Sequence, residues 1–404
     1  MNRSVRTLLA TAVVLGIAAG AAGPVSASTP ADRAPGSRPA ASGAPLTLGA
    51  PDARALSAAI AGLPRQDAVS ALVRVGGTGG PWHGSAGLHD LPSGRPADPA
   101  GRFRAGSVTK VFTAAAVLQL AGERKLSLDR TARHYLPDLI PASYGEVTVR
   151  QLLDHTSGIP AADLPGTNLE EWYAHRFDVH TPRAMVASAT AKEREFAPGS
   201  SQHYLNINYT VLGLLIERVT GHAYAQEVAD RILRPLDLRS TYFPGADPRI
   251  RGPHNRGYQA FPTPAGGVEL RDVTVWGPTD GWAAGDIIST TADLERFVNA
   301  LFGGQVVRGP LLEEMFTLPD ASVRTYGSGE PAQFSAGLSV LTLGGRQVWG
   351  KSGGRWGYNT VVAATRDLSR TLVHSVGATD AKGKDTNATA MAIVVAAFGP
   401  PPAV

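Results

Sequence analysis

Three short motifs in this 404-residue chain carry side chains that can break an amide or ester bond. The first is Ser107-x-x-Lys110, and the apolar run Val111–Leu120 that follows predicts a buried helix. Residues three apart share a helix face, so the Lys110 amine can reach the Ser107 hydroxyl. A buried, partly neutral amine can accept that proton, which makes Ser107 a candidate nucleophile and Lys110 its base. A helix-capping serine and a lysine that extends to solvent fit the same spacing.

The second motif is Tyr204-Leu205-Asn206, in a predicted loop just before a helix that starts at Asn208. A tyrosine beside cations can relay protons, and the amide of Asn206 can orient both the lysine and a substrate. A tyrosine packed on the core, next to a helix cap, is the alternative interpretation.

The third motif, Lys351-Ser352-Gly353-Gly354, follows a predicted strand at 347–349. A lysine and a hydroxyl there can hold a carboxylate, and the glycines let a substrate backbone approach closely. A tight turn between edge strands is the alternative.

Arg355 comes next, and strand alternation puts it on the same face as Lys351 and Gly353. We therefore predict that Lys351 and Arg355 together hold a substrate carboxylate, with Arg355 offering a two-pronged grip. The alternative is an arginine exposed to solvent at a turn.

Two further patterns overlap Lys351 and are rejected. Residues 345–352 fit the phosphate-binding pattern G-x4-G-K-[ST], but strand-like residues follow where a helix is required. Residues 350–354 fit the nucleophile pattern G-x-S-x-G, but too little chain remains to hold the rest of such a fold.

The N-terminus has the pattern of an export signal. Arg3 and Arg6 precede the apolar run from Leu8 to Ala22, and small residues precede Ser28. We therefore predict a signal peptide at 1–27 and a secreted protein. Residues 28–50, rich in Pro, Ala, Ser and Gly, predict a flexible linker.

The remaining chain has strand patterns at both ends and helical patterns between them. This predicts an antiparallel sheet flanked by helices, in an α/β domain formed by 51–125 and 286–400, with a mostly helical domain at 126–285. The chain has no cysteine, so disulfides are excluded. The net charge is only +4 and no lysine-rich run occurs, which argues against a nucleic-acid partner. No stretch is long and apolar enough to predict stable membrane insertion.

In their order along the chain, the three motifs resemble those of the serine penicillin-recognising hydrolases, the family of D-Ala-D-Ala carboxypeptidases and class C-type β-lactamases. The resemblance runs from Ala68 to Phe398 and includes the segments 103–110, 152–158 and 284–290. It implies a β-lactamase/transpeptidase-like fold. His155, within the second segment, is interpreted as a structural residue where a helix passes into a loop.

The resemblance implies a role for each motif residue. Ser107 is the nucleophile, Lys110 its base, Tyr204 the donor of a proton to the leaving group, and Asn206 the residue that orients the substrate amide. Lys351 and Ser352 face the substrate carboxylate, and the N–H groups of Ser107 and Gly354 form the oxyanion hole. No metal or cofactor is implied.

The resemblance leaves the substrate open. Such carboxypeptidases usually carry histidine and threonine at the positions of Lys351 and Ser352, and an arginine on the preceding strand, where this chain has Ser339-Val340-Leu341. We predict a monomeric, secreted D-Ala-D-Ala carboxypeptidase that acts on peptidoglycan stem peptides in the cell-wall space. The alternatives are a β-lactamase, an esterase, a D-amino-acid peptidase, and a non-catalytic penicillin-fold binding protein.

Overall fold

The computed structural model describes residues 48–164, 166–383 and 385–399. The predicted signal peptide, 1–27, and all but the last three residues of the predicted linker, 28–50, lie outside the described residues. Within the described part of the chain, no helix combines the length and the apolar character needed to cross a membrane.

A six-stranded antiparallel sheet joins the two ends of the chain. Its strands, in chain order, are β1 (Ala68–Gly76), β2 (Trp82–Gly87), β3 (Ser339–Leu343), β4 (Arg346–Arg355), β5 (Tyr358–Thr365) and β6 (Thr371–Ala378). Their spatial order is β2-β1-β6-β5-β4-β3, and every neighbouring pair is antiparallel. The pairing of β1 with β6 therefore confirms the prediction that strands from both ends form one sheet.

Helices cover both faces of this sheet. Those of eight or more residues in the described ranges are α1 (Ala53–Ile60), α2 (Thr109–Gly122), α3 (Pro182–Thr190), α4 (Asn206–Thr220), α5 (Thr291–Phe302) and α6 (Ala388–Phe398). α1 and α6 pack on one face, and α2 and α5 pack on the other. Polar side chains cap the starts of several helices, as Asp52, Thr181 and Asn387 do by accepting backbone N–H groups. The predicted sheet with flanking helices is confirmed.

Short elements make up much of the rest. The helical segments are Ala132–Tyr135, Val149–Leu153, Leu169–Ala174, Tyr224–Val228 and Pro310–Glu313, with single turns at Gly106–Val108, Ala142–Tyr144, Ala229–Leu233, Trp282–Ala284 and Glu314–Phe316. The short strand pairs are Phe103–Arg104 with Ile288–Ser289, Ser201–Gln202 with Arg324–Thr325, and Tyr258–Pro262 with Val268–Asp272. The division into two domains stays a prediction.

Two local predictions differ from the structure. The sequence pattern predicts a strand over residues 334–343, but the strand begins only at Ser339, because Gly337 has a positive φ of 84° that an extended strand does not accommodate. The sequence pattern also predicts a helix over 223–234, but the α-helix ends at Val228 and the chain continues as a wider π-type turn over Ala229–Leu233.

The central helix α2 positions the catalytic candidates. Eleven of its fourteen residues are buried, and Phe112 stacks on Phe297 with ring centroids 3.7 Å apart. Burial on all sides explains why the sequence shows a continuous apolar run rather than one apolar face. Ser107 lies in the single helical turn Gly106–Val108 that leads directly into α2.

Candidate active site

Lys110 connects the nucleophile candidate to two other parts of the chain. Its Nζ lies 3.1 Å from Ser107 Oγ, 2.8 Å from Asn206 Oδ1 and 2.7 Å from the carbonyl oxygen of Ala284. The side chain is fully buried, and this burial, followed by the charge of Lys351, holds its pKa well below the usual value. The surroundings of Lys110 therefore favour the neutral amine over the ammonium form.

The three contacts of Lys110 match the valences of a neutral amine. Nζ donates to the oxygens of Asn206 and Ala284. In its third contact, with Ser107 Oγ, a protonated Lys110 donates, whereas a neutral Lys110 has a lone pair that can accept the hydroxyl proton of Ser107. Asn206 is the first residue of α4, two positions before the predicted start. The structure thus brings together the first two motifs, whose residues are separated by 96 positions.

The third motif lies directly against the Ser107 turn. A Cβ on Gly353 would lie 2.0 Å from the Ala105 carbonyl oxygen and 2.9 Å from the Ser107 nitrogen. Gly106 has a positive φ of 54°, and a Cβ there would lie 2.9 Å from the Gly354 nitrogen. Only glycine permits this approach, which brings the backbone of the third motif against that of Ser107. The expectation that the N–H groups of Ser107 and Gly354 form an oxyanion hole stays a prediction.

Tyr204 lies between two lysines. The Nζ atoms of Lys110 and Lys351 are 4.9 and 4.6 Å from its ring centroid. Burial raises the pKa of Tyr204, although the nearby Ser107 side chain partly offsets the effect. The Tyr204 hydroxyl makes no hydrogen bond of ordinary geometry with the described residues. A protonated, unengaged phenol at this place can donate a proton to a leaving group.

Lys351 reaches the site over the Tyr204 ring. It is 5% exposed, its Nζ donates to the Ser352 carbonyl oxygen at 2.8 Å, and burial lowers its pKa to about 7. Ser352 follows on β4 and is half-buried. The expectation that Lys351 and Ser352 hold a substrate carboxylate stays a prediction.

Arg355 has a partner within the chain. Lys351, Gly353 and Arg355 are the buried positions of this part of β4, in line with the predicted alternation. However, both prongs of the Arg355 guanidinium bind Asp280, at 2.9 and 2.8 Å, and a further N–H donates to the Gly277 carbonyl oxygen. Contrary to the sequence expectation, the fork of Arg355 grips a carboxylate of the protein itself.

A cavity of about 360 Å³ opens at Ser107. Of the predicted site residues, Ser107, Tyr204 and Asn206 line it. The other lining residues are Ala161, Ala162, Leu164, Asn168, Leu169, Trp172, Met185, Leu205, Ile207, Gln259, Asp280, Trp356, Asp380 and Lys382. Most of these come from loops without a chemical motif, which is why sequence reasoning missed them. Three of them are neighbours of predicted site residues in the sequence: Leu205 and Ile207 flank Asn206, and Trp356 follows Arg355.

His155 has the structural role expected from the sequence. It is buried at a positive φ of 64°, and its Nδ1 accepts from the side-chain amide of Asn208 at 3.2 Å. Its ring lies against that of Tyr204, with centroids 4.4 Å apart. Burial and nearby Lys110 hold its pKa well below the usual value, so it supports Tyr204 as a neutral ring. In the described residues, no group of three or more His, Asp or Glu side chains is arranged to hold a metal ion.

Comparison with known proteins gives this geometry a family context. A family model described as Beta-lactamase matches residues 54–402. Among solved structures, a D-stereospecific amidohydrolase from Streptomyces sp. superposes with a TM-score of 0.73 and is 31% identical. That match covers 86% of this chain and 99% of the amidohydrolase.

Two curated relatives match shorter parts. Penicillin-binding protein 4* of Bacillus subtilis is 27% identical over 305 residues, which cover 72% of this chain and 64% of the relative. Esterase EstB of Burkholderia gladioli is 35% identical over 199 residues, or 46% of this chain and 48% of the esterase. The matched part of the chain therefore covers less than two thirds of the length of either relative.

Proposed function

Because the chain belongs to the β-lactamase family of serine hydrolases, we propose that it is a D-stereospecific amidohydrolase that forms an acyl ester on Ser107. The observation that carries this chemistry is the buried Lys110 amine, held between Ser107 Oγ, Asn206 and the Ala284 carbonyl. A lysine buried at the start of a core helix, without a carboxylate partner among the described residues, is costly, which favours a role in the reaction.

The reaction follows from the positions of the groups. Ser107 Oγ attacks the substrate carbonyl while its proton passes to Lys110 Nζ. The N–H groups of Ser107 and Gly354 stabilise the oxyanion. Tyr204 donates its proton to the departing nitrogen, so the amine leaves neutral and the acyl group stays on Ser107. Water then attacks the ester and gives a proton to the Tyr204 phenolate. Lys110 returns its proton to Ser107 Oγ as the ester bond breaks, so the free acid leaves and all three side chains are restored.

Two observations support an amide substrate with a bulky D-configured acyl group. The amidohydrolase from Streptomyces matches over nearly its whole length. The cavity beside Ser107 carries the rings of Trp172 and Trp356 and the side chains of Leu164, Leu169 and Met185, which suit an apolar side chain.

A D-Ala-D-Ala carboxypeptidase is the second candidate. Lys351 favours it, because a buried lysine beside Tyr204 can pair with a terminal carboxylate on the leaving group. It is ranked second because Ser339-Val340-Leu341 offers no arginine and because Arg355 is already bound to Asp280.

The test is a substrate panel with the wild type and Ser107→Ala. We expect hydrolysis of D-phenylalanine p-nitroanilide, little hydrolysis of its L enantiomer, and labelling of Ser107 by a fluorophosphonate. Ser107→Ala should lose both hydrolysis and labelling. Faster release of D-Ala from a D-Ala-D-Ala tripeptide would select the carboxypeptidase, and turnover of p-nitrophenyl acetate alone would select an esterase. Equal labelling of Ser107→Ala would refute the serine mechanism.

We also propose that the protein is exported and acts as a monomer on small peptide or amide substrates. Export is supported by Arg3, Arg6 and the apolar run that follows them.

A further inference from the structure

The cavity beside Ser107 has a polar wall that the acyl-transfer chemistry does not use. Gln259, Asp280 and Asp380 line it, and all three present oxygen acceptors. The apolar residues named above occupy much of the rest of the cavity. Acceptors on one wall of a largely apolar acyl pocket suit a ligand that carries N–H donors.

Asp280 is held as an anion in a fixed orientation. Although its burial opposes ionisation, the charge and hydrogen bonds of Arg355 keep the pKa of Asp280 below its usual value. Arg355 is 5% exposed, and its two N–H groups take one lone pair on each carboxylate oxygen. A carboxylate has about four acceptor sites, so Arg355 leaves about two of them unused, and the charge of Lys382 also acts on Asp280.

Gln259 is a second, independent sign of a donor ligand. Its side chain is 1% exposed, and its Nε2 donates to Asp380 Oδ1 at 3.3 Å. Since the NH₂ end must face the carboxylate, the orientation of the amide is determined. Oε1 is then a buried acceptor without a hydrogen-bond partner in the described structure. A buried unpaired acceptor is costly, and a ligand N–H would satisfy it.

We infer that this wall, formed by Asp280 and Gln259, binds the free α-amino group of the acyl residue. The inference rests on the proposed amidohydrolase function and narrows its substrates to D-amino-acid amides and peptides with a free N-terminus. Arg355 acts as a positioning residue because it holds Asp280, and Asp380 does the same for Gln259. The aromatic and aliphatic lining receives the side chain of the same residue.

Lys382 is a cation on the same wall and opposes the binding of a positively charged amine there. It also lines the cavity, and burial followed by the charge of Arg355 lowers its pKa to about 8. A cation there would favour an acyl group that ends in a carboxylate instead. The experiment therefore includes such a substrate.

The experiment measures kcat/KM for three p-nitroanilides of D-phenylalanine, with a free, an N-acetylated and an N-succinylated amino group. The wild type should prefer the free amine at least about tenfold, as expected for a hydrogen-bonded charge. Asp280→Asn should lower the ratio of kcat/KM for the free substrate to kcat/KM for the acetylated substrate about 10- to 100-fold. Gln259→Met should lower the same ratio about 2- to 10-fold. Met185→Leu, a volume-conserving change in the same cavity, should leave the ratio unchanged.

Asp280→Asn leaves Arg355 buried without its partner, so this variant alone can fail through misfolding. The double variant Asp280→Asn/Arg355→Met removes both charges. Its circular dichroism spectrum should match that of the folded wild type, and it should still lack the preference for the free amine. A double variant that keeps the wild-type preference overturns the inference.

The outcomes separate the inference from the proposed function. Equal hydrolysis of free and acetylated D-substrates overturns the inference but leaves a D-stereospecific amidohydrolase. Preference for the succinylated substrate also overturns the inference, because it would show that Lys382 on this wall binds a substrate carboxylate. Failure to hydrolyse any D-anilide overturns the proposed function and the inference with it.

Discussion

The replacement Lys110→Met tests the central assignment most directly. Methionine has nearly the same length as lysine and no amine, so the packing around α2 is retained while the base is removed. Lys110 is fully buried, and its Nζ lies 4.9 and 5.7 Å from the ring centroids of Tyr204 and Tyr209, against which a methionine side chain can pack. The variant should therefore fold.

The expected magnitudes follow from the contacts of Lys110. Loss of a general base lowers the rate about 10²- to 10⁴-fold, which raises the barrier by about 3–5 kcal/mol. The oxygens of Asn206 and Ala284 lose a buried donor, at a cost of about 1–3 kcal/mol each. Removal of a poorly solvated amine offsets part of that cost, so the protein stays folded within an ordinary stability of about 5–15 kcal/mol.

The assay is kcat/KM on the best substrate of the panel, together with urea unfolding of each variant. Lys110→Arg is the matched control, because arginine keeps a positive charge and donors but does not lose its proton. We expect Lys110→Arg to be as inactive as Lys110→Met. Activity in Lys110→Arg would show that the residue acts as a fixed cation. A folded Lys110→Met with more than about one tenth of wild-type activity would refute the base assignment.

Three further predictions concern other parts of the chain. Gly353→Ala places a Cβ 2.0 Å from the Ala105 carbonyl oxygen, so kcat/KM and the melting temperature should both fall, and an unchanged pair of values would contradict the close approach. His374 is fully buried without a hydrogen-bond partner in the described structure, and burial lowers its pKa to about 3. As the pH falls below about 6.5, His374 takes up a proton in the unfolded state but not in the folded state. The free energy of unfolding of the wild type should therefore fall by about 2 kcal/mol between pH 7 and 5 because of this residue. Urea titrations of His374→Leu should not show that decrease. Mass spectrometry of protein secreted by a bacterial host should find an N-terminus near Ser28, whereas intact Met1 in the cell pellet would contradict the export prediction.

Local spacing was enough to predict that the side chains of Ser107 and Lys110 lie side by side. Ser107 and Lys110 are three residues apart, so a helical backbone alone brings their side chains together. In the same way, period-two alternation placed Lys351, Gly353 and Arg355 on one face of β4 before any partner was known. The sheet that joins both ends of the chain also followed from local strand patterns and was confirmed by the pairing of β1 with β6.

What surrounds those residues was decided by tertiary structure. Arg355 meets Asp280 across 75 positions of sequence, and no local pattern indicates that its fork is engaged by the protein rather than by a substrate. Gln259 and Lys382 lie in segments without a motif and become part of the site only because separate loops form one cavity wall. Sequence determines which groups a backbone element presents on a face. Which charges are neutralised and which acceptors remain open depends on long-range packing, because desolvation and pairing are properties of the assembled surroundings.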